Sequence, residues 1–222
     1  MKLNRRLKKI LLIIIKVVII YILLFSIYKT NFYEENGNFN LANKEQFISF
    51  GINSLYEKHQ DEFVLITQKI ATNSLLIFTV YFLTIKRASE IFNGFSNMIR
   101  NQVSNLNQLI KQMILFYIKP LLIEVTIFMA VMLIFISINK LNGKYTLEFY
   151  KYFIKMYVFY INLPIISLLL SKNISIYLIL LFTFSIFSTF LIWLLNIEIV
   201  ILVYIALYIF IYNFIKYREE RI

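Results

Sequence analysis

LLIIIKVVIIYILLFSIY (residues 11–28) is the stretch that decides the fold. Apart from Lys16 and Ser26 it is wholly aliphatic or aromatic, and it contains no Gly or Pro. At ~1.5 Å per residue, a helix of this length crosses the hydrocarbon core of a bilayer, about 30 Å thick. The residues before it, MKLNRRLKK, are strongly basic. A charged start and an apolar run also open secretory signals, but this run is long enough to span and no small-x-small cleavage site follows it. We read it as a first spanning helix, residues 10–28, with Lys2, Arg5, Arg6, Lys8 and Lys9 on the cytoplasmic side.

Composition extends that reading to the whole chain. Of 222 residues, 60% are hydrophobic and only 16% charged, against roughly 25% charged in an average soluble domain. Further apolar stretches cover residues 63–85, 113–138, 149–170, 174–195 and 199–215. The expected fold class is therefore all-α: a polytopic helical membrane protein of about six transmembrane helices forming a single transmembrane domain. Its N- and C-termini are expected in the cytoplasm, in a bacterial plasma membrane. The second stretch is the least regular, because Lys69 and Asn73 shorten its clean part to 74–85. Pro164 is expected to kink the fourth. Residues 29–62 form the longest polar loop, placed outside, in which 43–63 has the scattered apolar residues of a short surface helix.

The formal net charge is +11. Basic residues fall more often on the inner side of this topology, most sharply at the N-terminus and at Lys86 and Arg87. The charge is thus accounted for by topology and lipid contact, and no nucleic-acid partner is needed. There is no cysteine, and His59, in the outer loop beside Asp61, is the only histidine. Thiol chemistry and most histidine-based catalytic or metal sites are excluded on that ground, and no convincing serine dyad is present. No catalytic, cofactor-binding or metal-binding residue is expected. No stretch matches G-x-x-x-x-G-K-[ST], so ATP would act only through a partner subunit.

One segment departs from the oily pattern. EIFNGFSNMIRNQVSNLNQLIKQ (residues 90–112) is rich in Asn, Gln and Ser, with Ile91, Phe95, Met98, Ile99, Val103 and Leu106 recurring at helical intervals. The topology places 86–112 on the cytoplasmic side. It reads as an interfacial helix on the bilayer, as the cytoplasmic end of the third span, or as a docking element for a cytoplasmic partner. Its polar face has Asn and Gln where a membrane-surface helix carries Lys.

Lys86-Arg87, Glu90, Gly94, Arg100 and Lys111 resemble the cytoplasmic segment of ABC-2-type transporter permeases. There an acidic residue, a Gly and a basic residue follow the second span and precede the third. The resemblance implies a coupling helix that seats on a separate ATP-binding subunit, with Glu90, Ile91, Gly94, Phe95, Met98, Ile99, Arg100 and Val103 as the ATPase-docking residues. It also implies a second permease copy or paralogue, and the peptide or bacteriocin export and immunity systems of Gram-positive bacteria as the nearest functional type. The chain departs from the family in its short polar N-terminus and in having only Asn196–Glu198 between the last two spans. The alternative function is a stand-alone membrane immunity or accessory protein acting without ATP.

Ionisable residues inside spans are costly and are candidates for function by default. Lys16 lies ~9 Å along the first span, within reach of the surface by snorkelling. Glu124 has no such escape. It has Lys119 nearby in sequence and Lys16 at a similar depth across helices. Such a pair either holds spans one and three in register or forms part of a substrate or proton path. Lys155 is a third intramembrane charge, toward the outer side.

Overall fold

A computed structural model describes residues 5–32, 44, 47, 56–59, 62–65, 67–95, 106–139, 141, 143–194 and 196–219. The elements are helix α1 (Arg5–Phe32), strands β1 (Tyr56–His59) and β2 (Glu62–Leu65), helices α2 (Thr67–Val80) and α3 (Phe82–Glu90), a π-helical turn (Ile91–Phe95), and helices α4 (Leu106–Ile138), α5 (Leu147–Leu170), α6 (Ile174–Leu194) and α7 (Ile197–Glu219). Among the described residues, three helical stretches are long and apolar enough to cross a membrane: Ile10–Lys29, Lys111–Ile138 and Leu147–Leu170. Ile174–Ser185 and Glu198–Asn213 are shorter apolar stretches. The architecture is helical, and these stretches mark the chain as a membrane protein.

Side-chain contacts give the directions of the helices. Lys16 meets Glu124 while Tyr21 meets Phe135 and Asn139, so α1 runs parallel to α4. Leu83 and Thr84 meet Glu124 while Arg87 lies over Phe116, so α3 runs antiparallel to α4. Phe128 packs on Tyr160 while Tyr117 reaches Pro164, so α5 runs antiparallel to α4 as well. The start of α1, the end of α3 and the start of α4 therefore share one end of the molecule. Helix α4 is central, packing against α1, α2, α3 and α5, while α6 and α7 pack on α5. The core follows this axis, with Leu121, Val125, Phe128, Met132 and Phe135 of α4 buried among Ile20 and Leu24 of α1 and Met156 and Leu163 of α5.

Two sequence expectations are corrected by the structure. The surface helix expected in 43–63 is replaced, over its last part, by an antiparallel hairpin that pairs Tyr56 with Leu65 and His59 with Glu62. Tyr56, Phe63 and Val64 are aromatic or β-branched residues that favour strand over helix. Residues 63–65, read as the start of the second span, belong to that hairpin, and helix begins at Thr67. The described ends of the segment 86–112 belong to neighbouring elements, and its last part agrees with the reading of it as an end of the third apolar helix. Its first residues complete α3 and the π-helical turn, its last are the opening turns of α4, and 96–105 lie outside the described residues.

At the opposite end, Phe47 stacks on Phe135 at 5.2 Å and packs edge-on to Tyr28. Lys44 donates to the carbonyl of Gly143 and lies over the Tyr145 ring. The polar segment after α1 is thus anchored on the rim of the helices by at least these two side chains.

Candidate functional site

The second apolar stretch is two helices, not one. Between Val80 and Phe82 the helix is interrupted at Tyr81 (φ −99°, ψ 19°), and α3 starts at Phe82. In an unbroken helix the amides of Leu83 and Thr84 would donate to the carbonyls four residues back. Here both donate to Glu124, Leu83 N to Oε1 and Thr84 N to Oε2, each at 2.8 Å. The Thr84 hydroxyl donates to the same carboxylate. The carbonyl of Val80, freed at the other side of the break, accepts from Lys16 Nζ at 2.6 Å. Lys16 Nζ also pairs with Glu124 Oε1 at 2.5 Å.

One ion pair thus closes both ends of a helix break. The carboxylate sits at the amino end of α3, where unpaired N–H groups leave partial positive charge, and the ammonium at the carboxyl end of α2, where carbonyls leave partial negative charge. Glu124 and Thr84 are 0% exposed and Lys16 5%. An unpaired backbone group in hydrocarbon costs several kcal/mol, and an isolated lysine or carboxylate at the centre of a span costs ~2.5–3.5 kcal/mol on insertion scales. Each partner here cancels the other's cost. That explains why Lys16, close enough to the surface to snorkel, turns inward instead. Lys119, the other sequence candidate for Glu124, is exposed.

A second broken ladder adjoins the first. Pro164 lacks an N–H, so the carbonyl of Tyr160, four residues earlier in α5, has no partner in its own helix. The Tyr81 hydroxyl donates to it at 2.7 Å. The residue at the break of α2 and α3 is therefore also the donor that repairs the proline site in α5. Further along, Tyr117 of α4 shares a hydrogen bond of 2.6 Å with the Tyr177 hydroxyl of α6, and Tyr208 of α7 donates to Asn162 Oδ1 at 2.8 Å. These bonds extend the polar seam across the helices.

The structure places the remaining sequence candidates as follows. Glu90, at the end of α3, accepts from Arg87 Nη1 at 2.6 Å, in an exposed i,i+3 pair. Ile91 is fully buried, and the ring of Phe92 beside it contacts Tyr177. Gly94 and Phe95 complete the π-helical turn. Met98, Ile99, Arg100 and Val103 lie outside the described residues. Lys155 is buried with its ammonium over the Tyr152 ring, 4.6 Å from the centroid, far along the chain from the Lys16–Glu124 node. Thr84, Tyr81 and Tyr160 are the site residues that sequence reasoning did not single out. Pro164 was the one visible sign, since it announces an orphan carbonyl without saying which side chain will fill it. Among the described residues, no group of three or more His, Cys, Asp or Glu is placed to hold a metal ion.

Compared with known proteins, the chain matches no family model, no curated protein and no solved structure.

Proposed function

We propose that this chain is the membrane-spanning permease subunit of an ABC-type exporter. In this reading it crosses the membrane six times with both ends in the cytoplasm and acts with a second permease copy or paralogue. A separate ATPase subunit powers it, and an apolar or amphipathic peptide is its cargo. The observation that carries the proposal is the broken column of α2, α3 and the π-helical turn. Its upper arm, α2, packs on α1, whereas its lower arm, α3, packs on α4. The lower arm runs into the Asn- and Gln-rich segment where the sequence resembles a coupling helix. A load applied at Ile91–Phe95 would pass along α3 to the Leu83 and Thr84 amides, and from them through Glu124 to α4. Such a column transmits force from one end of the molecule to the middle of the bundle, which an ATP-driven rocking mechanism needs.

The test is affinity capture of the tagged chain from its native membrane in mild detergent, with mass spectrometry of what accompanies it. A soluble ATPase in stoichiometric amount is expected. The triple variant Phe95→Ala/Met98→Ala/Arg100→Ala should insert normally and lose that partner. A chain captured alone, or with membrane proteins only, overturns the permease reading in favour of the stand-alone immunity or accessory protein.

A further inference from the structure

The helix break leaves a groove that the Lys16–Glu124 node does not fill. Because α3 leaves α1 for α4 at Tyr81, the first half of α1 stands apart from it. The space between them is a groove of about 440 Å³, within the ~300–1,000 Å³ of small-molecule sites. Leu12, Ile15 and Ile19 of α1 face Phe78 and Phe82 across it, with Lys16 in the lining. Ile15 is 50% exposed and Phe82 54%. The edge of the groove nearest the end shared by the start of α1 and the end of α3 is lined by Leu11, Leu12 and Phe82, and we take this edge as its mouth. Lys86 follows Phe82 by one helical turn and is exposed, as is Arg87. Lys8 precedes Leu12 by one turn, with Arg5, Arg6 and Lys9 in the same opening turns of α1. Of these positions Arg87 is already engaged, paired with Glu90, the one acid at this end of α3, and lying over Phe116 of α4, which leaves Lys86 and the four basic positions of α1.

We propose that this groove binds one anionic phospholipid from the leaflet at the N-terminal end of α1. One acyl chain lies between α1 and the α2–α3 break, and the phosphate sits at the mouth among Lys86 and the basic opening turns of α1. Any lipid tail satisfies the apolar walls. The concentration of positive charge at the mouth is what selects an anionic headgroup, since basic residues beside a membrane surface attract anionic lipids additively. The assignment requires only that the chain spans a membrane, and it is independent of the permease reading.

Native mass spectrometry of the intact chain, released from micelles doped with either dioleoyl phosphatidylglycerol or dioleoyl phosphatidylcholine, tests it. One retained phosphatidylglycerol per chain is expected, held in preference to phosphatidylcholine. Lys8→Gln/Lys9→Gln/Lys86→Gln should erode that preference by about fivefold per charge removed. Ile15→Trp, which fills the groove from its exposed wall without touching the ion pair, should lose both lipids. Equal retention of the two lipids by the wild-type chain overturns the proposal. So does retention that Ile15→Trp leaves unchanged, or a preference that survives loss of the three lysines.

Discussion

At Glu124, four donors from two elements converge on one carboxylate: Lys16 Nζ from α1, the Leu83 amide and both Thr84 donors from α3, all onto a side chain of α4. Removing one partner of such a buried pair is more damaging than removing both, because a charge is left without an answer. Glu124→Leu strands the Lys16 ammonium and both amides at once, and should destabilise the chain by about 3–5 kcal/mol. Glu124→Gln keeps an acceptor for only one of the two amides and still strands the ammonium, so its loss should fall at the lower end of that range, about 3 kcal/mol. Denaturation midpoints in mixed micelles of SDS and a mild detergent check both values and their order. That Lys16 and Glu124 were partners was legible beforehand, since both are charges that hydrocarbon does not tolerate and both lie at similar depth. What they were partners for was not legible. The carboxylate's larger role, holding the amides of α3, depends on a break that neither residue announces.

The break belongs to the scale of elements, where the sequence is least explicit. Residues 74–90 contain no Gly and no Pro, the residues that usually mark a kink. Nothing local separates Val80 from Phe82, and the interruption is held by tertiary partners on α1 and α4. Long apolar runs made the helices readable as such, because burial in lipid demands continuous oil and internally satisfied backbone. Short strands in a polar loop make no comparable demand, and the β1–β2 hairpin passed for surface helix. In α5 the proline was legible, and its repair by Tyr81 was not. Tyr81→Phe removes that donor and should cost about 1–3 kcal/mol. Pro164→Ala restores an amide to the Tyr160 carbonyl and should rescue the loss, so the double variant is more stable than Tyr81→Phe alone. Additive effects in this double-mutant cycle would separate the two sites.

For the whole molecule, the absence of native cysteine makes topology directly measurable. Single cysteines in place of Lys2, Lys172 and Arg221 should react with a membrane-impermeant maleimide only after the cells are opened. One in place of Lys144, an exposed residue between α4 and α5, should react in intact cells. Reaction of Lys2→Cys and Arg221→Cys from opposite sides would refute an even number of spans. The antiparallel course of α3 and α5 about α4 is the packing that such a pattern requires.

The ion pair also sets a schedule for biogenesis. Lys16 and Glu124 are 108 positions apart, and at ~5–20 residues per second the ribosome needs roughly 5–20 s to pass from one to the other. During that interval α1 carries an unanswered lysine, and the junction of α2 and α3 has no carboxylate to accept from its free amides. Both costs stand until α4 is delivered. A nascent chain that stalls before Glu124 would present a mis-seated first hairpin to membrane proteases. A single late carboxylate thus answers a charge laid down more than a hundred residues earlier.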